Sequence, residues 1–136
     1  MELERDEFET VTYDDERGIL ELAWTAASAN LTDRLFMDAL ERFGRHAEDQ
    51  RARNVLIDVT RFAFQPGPQV GRWRDEKVIP KYNRAGVHKF AFLVAEGSPG
   101  TVESGAEPAP EAPGVFPTAY FDSRGDVDAW FASASD

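Results

Sequence analysis

The 136-residue sequence has no cysteine, and that removes disulfide frameworks, thiolate nucleophiles, iron–sulfur clusters and Cys-ligated zinc together. It has only two histidines, His46 and His88, and they are not at metal-ligand spacing, so no His-based metal centre is expected. No apolar run approaches the roughly 20 residues that cross a bilayer, which argues against membrane insertion. The first residues, Met1-Glu2-Leu3-Glu4-Arg5-Asp6-Glu7, are acidic where a secretory signal would be basic and then apolar. A cytoplasmic location is the expectation. Lysine is scarce too: three lysines and twelve arginines face 25 acidic residues, for a net charge of -10. A field of that sign repels phosphates, so nucleic acid is not an expected partner. A salt-adapted source is one account of the acidic bias, and an ordinary acidic protein is another.

What is present is a pair of continuous apolar runs. Asn54-Val55-Leu56-Ile57-Asp58-Val59-Thr60 and Phe90-Ala91-Phe92-Leu93-Val94-Ala95 read as strands covered on both faces, because such strands have no solvent side for polar residues. Ahead of them, residues 8–13 are rich in β-branched and aromatic types, Asp14 to Gly18 form a turn cluster, and Ile19 to Thr25 place Leu20, Leu22 and Trp24 on one face. That pattern predicts an antiparallel hairpin. Asn30 or Thr32 can cap a helix running to about Gln50, with Leu35, Phe36, Ala39, Leu40, Phe43 and Ala47 on one stripe and Asp38–Arg42 and Glu41–Arg45 as i,i+4 pairs.

A second helix starts near Pro68, carries Trp73, kinks or restarts at Pro80 and ends at Gly86. The 97–117 stretch holds five of the eight prolines and little apolar bulk, and an exposed, flexible loop is expected there. A short strand at Thr118–Phe121 follows. Ser123, three residues before Asp126, then opens a last helix bearing Val127, Trp130, Phe131 and Ala134. The order β-β-α-β-α-β-loop-β-α predicts one α/β domain over residues 1–136. Its single mixed sheet has about five strands, an antiparallel N-terminal hairpin beside a parallel centre, and helices packed on it.

Several stretches together resemble the STAS (SpoIIAA-like) superfamily. They are the β-β-α opening, the strand Val55–Thr60 with its aspartate, Trp73 followed by Val78-Ile79-Pro80, the Ala85–Phe92 step, and the ending Tyr120-Phe121-Asp122-Ser123…Ala129-Trp130-Phe131. The resemblance implies a small stand-alone bacterial domain with a regulatory, non-enzymatic role. In the best-known members a serine at the start of the helix after the central strand is phosphorylated. Here that turn reads Gln65-Pro66-Gly67-Pro68-Gln69 and has no hydroxyl; Thr60 is the nearest.

Candidate site residues follow from topology, since ligands in open α/β sheets gather beyond the carboxyl ends of the strands. Asp58, Thr60 and Arg61 fall there, with Asp58 also suited to capping the loop by accepting backbone N–H bonds. Phe62, Phe64, Trp73 and Tyr82 can line a cleft with Arg72 and Arg74, or present a surface to a protein partner or a second copy of the chain. A small apolar or anionic ligand is the alternative occupant. No glycine-rich phosphate loop, nucleophile elbow or acid–base constellation occurs, so neither an enzyme nor a cofactor is expected.

Overall fold

The strand Asn54–Asp58 (β4) lies inside a six-stranded sheet, as its unbroken apolar run requires. In the computed structural model, which describes residues 1–96 and 113–133, the strands are β1 (Glu2–Arg5), β2 (Glu9–Asp14), β3 (Ile19–Trp24), β4, β5 (Lys89–Leu93) and β6 (Thr118–Phe121). They stand side by side in sequence order. β1, β2 and β3 are antiparallel neighbours, while β3 to β6 run parallel. Val55 pairs with Leu20 on one side and Phe90 on the other, so the two apolar runs are adjacent as the sequence predicts.

The helices are α1 (Asp33–Gln50), α2 (Pro68–Trp73), α3 (Ile79–Ala85) and α4 (Arg124–Ala132). α1 is capped by Thr32, whose Oγ1 accepts from the Leu35 N–H at 3.2 Å. α4 is capped by Ser123, whose Oγ accepts from the Asp126 N–H at 3.1 Å. Alternation along the strands divides the core in two. Leu20, Leu22, Val55, Ile57 and Phe90 meet Leu40 and Phe43 of α1 and Tyr82 of α3 on one face; Leu56, Ala91, Leu93, Ala119 and Phe121 meet Val127 and Phe131 of α4 on the other.

The sheet departs from the expected five strands by β1. Two of its four residues are glutamates, its ends are exposed and only Leu3 and Glu4 are half-buried, so no hydropathy pattern marks it. It pairs with β2 because the charge of Glu4 is answered from α1: Arg42 Nε lies 2.9 Å from Glu4 and His46 Nε2 lies 2.9 Å from it. Arg42 therefore does not form the expected pair with Asp38, which faces Arg34 instead, while Glu41–Arg45 forms at 2.7 Å. Leu35, placed on the apolar stripe by spacing, is 42% exposed.

The second helix is also not a simple kinked rod. Between α2 and α3 the chain widens into one π turn, Arg74–Val78, in which the Ile79 N–H donates to the Arg74 carbonyl. Widening relieves the clash that the Pro80 ring would make with the carbonyl four residues earlier, so the helix continues through the proline. Gly86 ends α3 at φ +85°, a left-handed conformation that glycine adopts without strain. Of the 97–117 stretch, residues 97–112 lie outside the described part of the chain, as does Ala134; Pro117 already bridges into β6.

Candidate functional site

Three parallel strands set the floor of the site. Because side chains alternate, Ile57 and Val59, Phe90 and Phe92, and Thr118 and Tyr120 all point to the α1 side of the sheet. Phe92 and Tyr120 stack across β5 and β6 with centroids 4.9 Å apart and planes 10° off parallel. Above them the helices do not close. A cavity of about 450 Å³ remains, bounded by Trp24 at the end of β3, Phe36 and Leu40 of α1, and Phe62 and Pro66 of the loop after β4. Its far wall is Ile79 and Tyr82 of α3 with Phe116, and Arg74 and Asp75 of the π turn stand at its polar rim.

The loop from 59 to 67 forms one wall, tied by side chains at and just before the N-terminus of α1. Ser28, fully buried in the 3-10 turn Ala26–Asn30, accepts from the Ala63 N–H at 2.9 Å. Asp33, at the start of α1, accepts from the Gly67 N–H at 3.0 Å and from Gln69 Nε2 at 2.9 Å. The Asp33 approach is so close that a Cβ on Gly67 would meet its carboxylate at 2.6 Å. An aromatic chain then lines the wall: Trp24, Phe36 and Phe62 lie within 5.6 Å of one another by ring centroid, and Phe64 adds a further ring 5.5 Å from Phe36.

The polar groups of the cavity are few. Tyr82 is 2% exposed, and burial pushes its phenol well above the usual range although the Arg74 charge pulls it the other way. It is a neutral donor at any physiological pH. Among the described residues Arg74 pairs with its neighbour Asp75, through a single contact at 3.4 Å between side chains that are each about half exposed.

The sequence-derived candidates divide between the two faces of the sheet. Phe62, Arg74 and Tyr82 line the cavity, and Phe64 backs its aromatic wall. Trp73 packs half-buried against the core without reaching the cavity lining, and Arg72, Thr60 and Arg61 are exposed. Asp58 points to the opposite face from Ile57. Its Oδ1 accepts from the Thr60 N–H at 2.9 Å and the Thr60 hydroxyl at 2.6 Å, and its Oδ2 lies 3.4 Å from Arg124 NH2. Arg124 in turn grips Glu21 at 3.0 and 2.7 Å, so Asp58 caps its loop and helps anchor α4. Reasoning from the loop and helix missed Trp24, Phe90, Phe92, Phe116, Thr118 and Tyr120. The i,i+2 aromatics of β5 carried a signal, since two phenylalanines on one face of a central strand need a matching wall.

Compared with family models, curated proteins and solved structures, the chain matches none.

One further polar cluster lies away from the cavity. Glu4, Asp6 and Glu9 bring carboxylate oxygens within 4.8 Å of one another, the one such trio among the described residues. The Arg42 guanidinium already fills it, 2.9 Å from Glu4, 3.1 Å from Glu9 and 3.7 Å from Asp6, which leaves a metal ion to compete with a fixed cation. Among the described residues no helix is long and apolar enough to cross a membrane.

Proposed function

We propose that this chain is a STAS-like, non-enzymatic regulatory domain that works by binding a small apolar molecule in the aromatic cavity between the parallel strands and α3. The observation that carries the reading is the cavity itself. At about 450 Å³ it has room for about 15 waters at roughly 30 Å³ each, yet its walls are mostly rings and aliphatic side chains that offer water few partners. Water confined there is readily displaced by an apolar body, and the size lies within the range of small-molecule sites. The polar groups, the Tyr82 and Tyr120 phenols, the Thr118 hydroxyl and the Arg74–Asp75 pair at the rim, suit orienting a ligand rather than attacking a carbonyl.

The regulatory part of the reading rests on where the wall lies. The 61–75 segment contributes Phe62, Pro66, Arg74 and Asp75 to the cavity and carries the exposed Arg61 and Arg72 on its outside. A ligand that fixes those inner residues alters what a protein partner meets on the outer surface. That coupling joins the two occupants that the sequence suggests, a small molecule and a protein, in one mechanism.

The test is direct titration with the neutral dye N-phenyl-1-naphthylamine, followed by fluorescence. Val59→Phe, which places a ring into the cavity from β4's end, is expected to weaken dye binding at least about tenfold, a change of about 1.4 kcal/mol. Thermal unfolding of the variant shows whether the fold is kept. No binding of the dye or of an aromatic carboxylate to the unaltered chain, or equal dye binding by a folded Val59→Phe variant, would remove the cavity from the mechanism.

A further inference from the structure

The cavity also says something about the head of its ligand, an inference that rests on the binding role proposed above. Among the described residues Glu9 Oε2 is the one fully buried side-chain oxygen or nitrogen without a partner. The Tyr82 hydroxyl has no protein partner among them either, and so it keeps a share of open space. With 98% of the residue covered, that open space is the cavity Tyr82 lines. A buried phenol donor that bonds to no acceptor costs about 1–3 kcal/mol. An acceptor oxygen carried in by the ligand removes that cost.

Arg74 decides which acceptor. It bounds the same cavity, its charge reaches the Tyr82 phenol, and its contact with Asp75 is one long bond between half-exposed groups, an arrangement worth little and easily exchanged. In a chain of net charge -10 an anion meets overall repulsion, which a cation at the cavity rim offsets locally. A guanidinium and a neutral phenol at one cavity suit a carboxylate, which accepts from both; the Phe92 and Tyr120 rings, stacked on each other, offer apolar ring edges to the rest of the molecule. We propose that the cavity takes a small, flat aromatic carboxylate, its ring against Phe92 and Tyr120 and its anionic head between the Tyr82 hydroxyl and Arg74.

Calorimetric titration of the full chain with two matched pairs tests this: 2-naphthoate against 2-naphthalenemethanol, and cinnamate against cinnamyl alcohol. The acids are expected to bind at least tenfold more tightly than the alcohols at low salt. Tyr82→Phe and Arg74→Gln are each expected to reduce that preference severalfold, the acids losing more affinity than the alcohols. Tyr82→Phe keeps the ring that packs on Phe43 and Phe90, and thermal unfolding of both variants reports the fold directly. Equal binding of acid and alcohol, or a preference that both substitutions leave unchanged, overturns the carboxylate assignment and leaves the apolar-cavity reading standing. The same holds if the neutral dye binds and neither acid does. Failure of the dye and of both acids overturns the two together.

Discussion

Replacing Glu9 by glutamine should make the protein more stable at neutral and alkaline pH. Glu9 is 1% exposed on β2; its Oε1 accepts from Arg42 NH2 at 3.1 Å, while its Oε2 meets no protein donor and has the Glu4 carboxyl beside it. Three carboxylates thus converge on one guanidinium. Burial, with the adjacent Glu4 adding to it, pushes the Glu9 carboxyl up to about 8 from an ordinary 4.5, while Glu4, hydrogen-bonded to His46 and Arg42, lies below its ordinary value. Between pH 4.5 and 8 the folded chain holds a proton at Glu9 that the unfolded chain has released. Stability from this group is therefore fully present below pH 4.5 and lost as pH rises through 8. At about 1.4 kcal/mol per pH unit the full window corresponds to on the order of 5 kcal/mol, and because the proton is shared with Glu4 we expect on the order of 2–4 kcal/mol.

Glutamine has the same shape without the charge: its carbonyl can accept from Arg42 and its amide can donate to Glu4. Urea unfolding followed by the fluorescence of the three tryptophans, at pH 5, 6, 7, 8 and 9, gives stability as a function of pH for both proteins. The quantity to read is the difference between Glu9→Gln and the unaltered chain, since it cancels every group the substitution does not touch. That difference should grow with pH across the window and level off above pH 8. A difference that is flat, or that shrinks as pH rises, refutes the shared-proton account of the cluster.

Three other substitutions probe the frame of the site. Phe43→Ala empties a wholly buried position where α1 meets the edge of Tyr82, ring centroids 6.2 Å apart, and should cost about 3–5 kcal/mol in urea unfolding. Lys89→Met removes an ammonium whose Nζ lies 2.6 to 2.8 Å from the Trp130 carbonyl, the Ser133 carbonyl and Ser133 Oγ, and should cost about 1.5–3 kcal/mol, with faster amide exchange in α4. Arg124→Ala, although its fork meets both oxygens of Glu21, acts at a side chain that is 53% exposed; it should cost at most about 1 kcal/mol, less at high salt, as chemical denaturation at two ionic strengths will show.

The parts of the fold that announced themselves are those where one residue type answers one local demand. Val55 to Ile57 and Phe90 to Leu93 have no polar face, Thr32 and Ser123 stand where helix N–H groups need an acceptor, and Gly86 stands where φ turns positive. The parts that stayed hidden depend on two segments answering each other. β1 is a strand because Arg42 and His46, some 40 residues later, take up the charge of Glu4; read alone, Glu2 to Arg5 are only an acidic end.

The cavity is hidden for the same reason, and its origin can be traced to a proline. Trp73 dominates any reading of the second helix by size, and on an undistorted helix it would set the face that meets the sheet. Pro80 rules out an undistorted helix. The π turn that accommodates it inserts an extra residue per turn, so Arg74 and Asp75 come to the cavity rim while Trp73 packs beside it. Opposite that turn, β6 presents Thr118 where its neighbour β5 presents Phe90, and the smaller side chain leaves space that no helix among the described residues fills. A backbone bulge and a small residue on separate segments thus make one binding volume, and neither is visible as a site until the sheet places Thr118 beside Phe90.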